Sequence, residues 1–395
     1  MSNLKHWSDV VTIVSGKNQK NVADENGEYP IYGSGGIMGY ASDYLCEAGT
    51  TIVGRKGTIN KPIFVNRRFW NVDTAFGITP GEELNPKYLY YFCQYFNFAA
   101  LDKSTTIPSL AKRDLLAIEM PVPTLEEQQC IVARIEELFS QLDDAEATLQ
   151  KTKAQLALYR QAVLNNAFLG KFTSHVPIHM SLDWAKESAT KTLSILPKEW
   201  HYIELAKLGS LERGKSKHRP RNDKILFESG KYPFIQTGDV KSAQGNITSY
   251  SQMYGERGLQ QSKLWPKGTL CITIAANIAE SAFLGIDACF PDSIVGFIAH
   301  DVINPKYVRY FIESQKVRLW AFAPATAQKN INLTTLEQLI VPYCELQEQQ
   351  AIIDVIDERM TTCDYIENMV NSILIKVGSM KHSILKNAFQ GAIQQ

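Results

Sequence analysis

The chain has 395 residues, 45% hydrophobic and 21% charged, with 41 Lys and Arg against 41 Asp and Glu. That length suggests two or three domains, each with enough apolar material for its own core. The neutral balance excludes a uniformly basic surface of the kind that coats nucleic acid and leaves only local patches for such binding. The longest apolar run, Leu270 to Ile286, holds Asn277 and Glu280 and is too short and polar for a bilayer span. The stretch Met1 to Asp9 lacks an apolar leader, so a cytoplasmic location without membrane contact is expected. Seven scattered cysteines without a C-x-x-C pair fit free thiols in a reducing compartment, not a metal site.

In chain order, residues 1–123 read as a mixed α/β domain. Gly33-Ser34-Gly35-Gly36 predicts an exposed turn, and Thr50-Thr51-Ile52-Val53 predicts a strand. Arg55-Lys56-Gly57-Thr58 follows it, either as a surface turn or as a phosphate-contacting loop. Asn85-Pro86 places an N-cap and an N1 proline before a Tyr- and Phe-rich helix. Ser104 to Ser109 precedes the closing stretch and carries groups suited to base edges, or to any loop.

Residues 124–170 form a long helix. Thr124 and Glu127 make a capping box. Ile131, Ile135, Leu138, Leu142, Ala145, Leu149, Thr152, Leu156, Tyr159 and Val163 follow a 4,3 spacing, and Gly170 is placed as a stop. Acidic residues dominate from Glu126 to Glu146, seven against Arg134 alone. Residues 171–196 read as a linker.

Residues 197–344 predict a second α/β domain with a strand over Ile272-Thr273-Ile274. Gly209 to Ser216 matches G-x-x-x-x-G-K-[ST], but Lys217-His218-Arg219-Pro220-Arg221 is a poor helix start, so a turn near a nucleic-acid backbone is the better reading. Six Lys or Arg between Arg213 and Lys224 make a basic run that is either a solvated loop or a phosphate contact. Residues 345–391 predict a second long helix. Its seam is Ile352, Ile356, Arg359, Cys363, Ile366, Val370, Ile373, Val377, Met380 and Ile384, with Gly391 as its stop.

The halves repeat. Glu127-Gln128-Gln129 recurs as Glu348-Gln349-Gln350, and Leu164 to Gly170 as Leu385 to Gly391, both 221 positions later. Asn85-Pro86-Lys87-Tyr88 recurs 219 positions later as Asn304-Pro305-Lys306-Tyr307. Gly27 to Pro30 returns as Gly230 to Pro233. Matches in one order with drifting offsets indicate an internal duplication. Two matched stripes in one chain are expected to pair with each other, although pairing with another copy is the alternative. The expected fold is α+β: two mixed α/β domains separated by two long antiparallel coiled-coil helices, with pseudo-two-fold symmetry and a domain at each tip.

The scaffold residues repeat while loop residues differ, so two different things would be read. The candidates for DNA contact are Ser34, Gly35, Gly36, Arg55, Lys56, Thr58, Thr105 and Ser109 in the first half. In the second they are Lys215, Lys217, Arg219, Arg221, Gln236, Thr237, Asp239, Gln328, Lys329 and Asn330. H-E-x-x-H, G-x-S-x-G and Asn-Pro-Pro-aromatic motifs are absent, and neither catalytic nor metal-binding residues are expected.

Pro121-Val122-Pro123-Thr124-Leu125-Glu126-Glu127-Gln128-Gln129 before a heptad helix, repeated as Val341-Pro342 through Gln350, resembles type I restriction–modification specificity subunits. Leu196-Pro197-Lys198-Glu199-Trp200 and Leu164 to Gly170 carry the resemblance further, over nearly the whole chain. The second copy has Cys344 where Pro123 stands, and Trp7 lacks a preceding Leu-Pro. The resemblance implies a non-catalytic subunit with two target-recognition domains. It would bind double-stranded DNA and dock two methyltransferase subunits and, through them, restriction subunits. S-adenosylmethionine, ATP and Mg²⁺ would belong to those partners. Two other readings stay open: a coiled-coil scaffold with non-DNA modules, and an enzyme using the Gly209–Ser216 loop.

Overall fold

The computed structural model describes residues 4–173, 196–322 and 330–390. Most of the expected linker, together with Gln328, Lys329 and Gly391, lies outside the described residues. The chain forms two compact units, Met1–Thr152 with Met369–Gln395, and Lys153–Asn368. Each unit takes part of each of two long helices, Leu125–Ala167 and Leu346–Phe389.

In the first unit a four-stranded antiparallel sheet runs in the order Val11–Ser15, Ala75–Pro80, Thr50–Gly54, Ile63–Val65. Thr50–Gly54 is buried along its whole length, which suits its unbroken run of β-branched residues. A smaller sheet holds Gly36–Ala41, Tyr29–Gly33 and Trp70–Asn71. A ribbon pairing Leu4–His6 with Glu119–Pro121 closes the domain. The second unit repeats this plan. Gly209–Arg213, Ile294–Ala299, Leu270–Thr273 and Ser281–Leu284 lie in the same order, extended by Asn246–Ile247. His201–Glu204 and Ile340–Tyr343 form its closing ribbon.

The repeated motifs turn out to be joints. Gln128 is fully buried. Its amide donates to the carbonyls of Glu83 and Pro123, both at 2.8 Å, and accepts from Asn85 N–H at 2.8 Å. Gln349 does the same, donating to Cys344 O at 2.7 Å and accepting from Asn304 N–H at 2.8 Å. Each clip ties the start of a long helix to the asparagine that caps a short one, Pro86–Tyr95 or Pro305–Ser314. The Tyr88 and Tyr307 hydroxyls donate to Pro121 O at 3.0 Å and Pro342 O at 2.9 Å. The Leu-x-Asn-Ala-Phe-x-Gly repeat completes the packing crosswise. Phe389, from the second helix, meets Tyr88 and Phe92 of the first domain at 5.1 and 5.4 Å. Phe168, from the first helix, meets Tyr307 and Phe311 of the second domain at 5.0 and 5.2 Å.

Within each unit the two helices therefore run antiparallel. In the first, Ile131 and Ile135 share a core with Leu385 and Phe389, while Lys381 reaches Asp143 at 2.6 Å and Glu146 at 3.0 Å. In the second, Val163 and Leu164 share a core with Ile352 and Ile356, while Arg160 reaches Asp364 at 2.8 Å and Glu367 at 3.0 Å. Arg160, Asp143 and Glu146 correspond, 221 positions on, to Lys381, Asp364 and Glu367, so one contact is made twice.

The seam departs from a strict heptad. Ile131, Ile135, Val163, Ile352, Ile356, Val370 and Val377 are buried, and Leu138, Leu142, Leu149, Leu156, Ile366 and Ile384 are half-buried. Tyr159, Ile373 and Met380, expected in the seam, remain 45%, 40% and 52% exposed. A straight helix turns every 3.6 residues and drifts about 20° per heptad from a 3.5-residue stripe. The inner face accordingly moves from Ile373 to Leu374 and from Met380 to Lys381. The two polar seam positions have their own partners. Thr152 bonds back to Thr148 O at 2.9 Å, and Arg359 lies 4.5 Å from the Phe172 ring.

Candidate nucleic-acid interface

In the first domain three loops converge. The turn Gly33–Gly36 joins two antiparallel strands, and Ser34 lies against Gly54 and Gly57. Beyond Thr50–Gly54, Leu110 N–H donates to Arg55 O at 2.9 Å and Gly57 N–H to Pro108 O at 2.9 Å. A β-bridge joins Lys56 to Ser109. The loop from Asp102 to Ser109 is built around one carboxylate. Asp102 accepts from Ser104 Oγ at 2.6 Å, Ser104 N–H at 3.0 Å and Ser109 N–H at 3.0 Å. Those bonds, the Ser104 hydroxyl first, hold its carboxyl below the usual range.

The loops frame a cleft of about 610 Å³ whose lining includes Arg55, Lys56, Ser109, Lys103, Lys112 and Arg113. Asp114 is the one carboxylate on its wall, and Lys103 meets it at 3.0 Å. The cleft is therefore strongly cationic although the chain is neutral. Ser34, Arg55, Lys56, Thr58 and Ser109 are brought together, with Gly35 and Thr105 exposed on the adjoining turns and Gly36 half-buried where a strand begins. Sequence reasoning missed Lys103, Lys112 and Arg113. The signal for Lys112 and Arg113 was their adjacency three residues after Ser109, and Lys103 carried none.

The second domain differs in chemistry at matched places. Ala275 bridges Asn330, as Lys56 bridges Ser109. Arg221 holds Asp292 through bonds of 2.7 and 2.9 Å. Arg219 donates to Ser216 O at 2.6 Å and His218 O at 2.8 Å, within its own loop. Lys215 and Lys263 share Glu212, whose carboxyl is held low by Lys263 first and Lys215 second. Lys217 is exposed. Much of the basic run is thus balanced within the loop or by nearby acids.

The counterpart of the glycine turn is not a hairpin. Gln236 N–H donates to Asp239 at 2.8 Å, capping the helix Thr237–Ser242, and Gln236 also meets Gln252 at 2.7 Å. Gly209–Arg213 is itself a strand, and no helix follows Ser216 before the short turn at Lys224–Leu226. Gly214 is needed because a Cβ there would stand 2.3 Å from Phe290 O. The phosphate-loop pattern is thus a strand edge with a close backbone approach.

All seven cysteines are free, six of them buried. Among the described residues, no His, Cys, Asp and Glu cluster is placed to hold a metal, and no helix is long and apolar enough to cross a membrane.

A family model described as the type I restriction modification DNA specificity domain matches residues 3–156 and again 197–374. The chain belongs to that family. Relatives in the DNA specificity family include the specificity subunit of the type I restriction enzyme EcoBI of Escherichia coli. It is 24% identical over 367 residues, covering 87% of this chain and 73% of that protein. The EcoDI specificity subunit, also of Escherichia coli, is 23% identical, covering 98% and 87%. A solved chain from work on assembly and conformational transition of the type I R-M system has TM-score 0.76 at 15% identity, over 99% of this chain and 98% of that one. The HsdS subunit from Thermoanaerobacter tengcongensis gives TM-score 0.54 at 16% identity, over 99% and 97%. These structures share the fold. Each family segment contains one copy of the clip, Gln128 with Asn85 or Gln349 with Asn304, and the two cross-packed phenylalanines lie beyond the matched segments.

Proposed function

We propose that this chain is the non-catalytic DNA-reading subunit of a type I restriction–modification enzyme, and that its two domains read two unlike half-sites of one duplex. The observation that carries this reading is the pair of matched loop bridges, Lys56 with Ser109 and Ala275 with Asn330, in domains of one topology. A common scaffold with cationic side chains in one copy and small or amide side chains in the other suits two different base sequences. The cleft around Arg55, Lys56, Lys112 and Arg113 supplies phosphate contacts for the first domain.

The full site is then asymmetric, with an unread gap between its halves. A helix of 43 residues extends about 65 Å at ~1.5 Å per residue. A span of that length supports half-sites within about two turns of DNA. Ser34, Gly35, Gly36, Thr105, Lys217, Gln236, Gln328 and Lys329 remain candidate contacts. Two methyltransferase subunits dock on the helical regions and recruit the restriction subunits. S-adenosylmethionine, ATP and Mg²⁺ are used by those partners.

The test is a map of methylated adenines in DNA exposed to this chain with its methyltransferase partner, together with a salt titration of DNA binding. The expected result is one bipartite, non-palindromic site and a steep loss of affinity with salt. A palindromic site, or affinity indifferent to salt, overturns the reading in favour of a scaffold.

A further inference from the structure

The two domains share the turn at the start of one loop, including a left-handed residue. Gly57 lies in the left-handed region at φ 80°, and Ala276, 219 positions later, lies there at φ 62°. The next-but-one residues, Ile59 and Ile278, are both buried, 5% and 1% exposed, and anchor the loop in the core. The residue ahead of the left-handed position bridges the closing segment in both copies. The loop is closed differently in each. In the first, the Thr58 carbonyl stands 2.0 Å from where a Cβ on Gly54 would be, so only glycine fits. In the second, the matched residue is Thr273, whose hydroxyl donates to Asn277 O.

One backbone thus presents Lys56 and Thr58 in the first domain and Ala275 and Asn277 in the second. Asn277 N–H is turned back onto Ala275 O at 2.8 Å. A second left-handed alanine, Ala279 at φ 61°, follows it. Left-handed alanine is unfavourable in an ordinary chain and persists only where the surroundings fix it. The side-chain amide of Asn277 is only half-buried and makes no hydrogen bond to any described residue. The held backbone thus offers an amide that has no partner among the described residues.

We propose that Asn277 is a specificity-determining residue of the second domain and reads an adenine in the major groove. An asparagine amide offers one donor and one acceptor side by side. That pair matches adenine N7 and N6, whereas a lysine or threonine at the matched loop of the first domain does not make this pairing. The inference rests on the proposed DNA-reading function and adds to it the residue and the base.

The experiment selects binders from randomised duplexes with the full chain assembled with its methyltransferase partners. The wild type is compared with Asn277→Ala, Asn277→Asp and Ala276→Gly. Asn277→Ala is expected to weaken binding of the selected site roughly 5- to 150-fold and to relax one base position in one half-site. Asn277→Asp, nearly isosteric, is expected to move the preference there from adenine to cytosine, whose N4 amino group a carboxylate accepts from. Ala276→Gly keeps the backbone and should keep the wild-type sequence. An unchanged adenine preference in Asn277→Asp, or relaxation spread over several positions in Asn277→Ala, overturns the proposal. A wild type that enriches no sequence at all would instead overturn the DNA-reading function on which it rests.

Discussion

Gln128 and Gln349 show how a short motif becomes a joint. Each is fully buried and uses both its donor and acceptor sides, so truncation strands a backbone N–H and at least one carbonyl. Gln128→Ala should cost about 1–3 kcal/mol in chemical denaturation of the full chain, and Gln349→Ala a similar amount. Glu127 beside it closes the capping box, bonding Thr124 N–H at 2.9 Å. That bond, followed by one from the Thr124 hydroxyl, holds its carboxyl below the ordinary 4.5. The contribution is complete above pH 4.5 and disappears as pH falls through the lowered folded value. Stability curves of the wild type and Glu127→Gln should therefore differ at neutral pH and converge in acid. A gap that persists in acid would assign the box no such role. Lys56 is exposed at the cleft, and Lys56→Ala should lower DNA affinity for all sequences and reduce the salt slope by about one. The motif's importance was legible as a repeat. Its chemistry was not, because nothing in Glu-Gln-Gln says which glutamine turns inward or that Asn85 receives it.

Among the elements, the long helices were the most legible and also the instructive exception. A 4,3 spacing over four heptads located both, and the capping box marked where the first begins. Periodicity alone did not locate the stretch where a straight helix leaves the stripe, so Met380 and Ile373 emerge and Lys381 turns in. The ion pairs at Arg160 and Lys381 were invisible in sequence because they join residues more than two hundred positions apart. Arg160 is 25% exposed, so its pairs with Asp364 and Glu367 are worth about 1 kcal/mol or less each. Arg160→Glu should lower the melting temperature, and adding Asp364→Lys with Glu367→Lys should restore much of it. A triple variant no better than the single one would show that these charges do not couple. Strands were read where β-branched runs were long. The segment matched to the glycine turn folds differently, since Gln236 and Asp239 form a capping box and start a helix. Loop identity depends on side-chain partners that scaffold repetition does not reveal.

At the scale of the whole molecule, duplication was readable because the joints are conserved within the chain while the loops are not. The base-facing loops were readable only as polar segments. Their grouping depends on bridges such as Lys56 with Ser109, which span 53 positions. Exchange of residues 197–342 for the corresponding segment of another family member should change one half-site in a methylation map and leave the other intact. A change in both halves would contradict the division of labour between the domains.

The crosswise placement of Phe389 has a consequence for biosynthesis. The first domain is translated by about residue 121, yet part of its interior is filled by Leu385, Ala388 and Phe389. A ribosome must add more than 250 further residues before that interior can be sealed. The first domain thus waits, with an aromatic socket open around Tyr88 and Phe92, for the far end of the second long helix to leave the exit tunnel. The second domain finds its own plug, Phe168, already made. Nascent chains halted midway should therefore expose the first socket to chaperones, while the second can close almost as soon as it emerges.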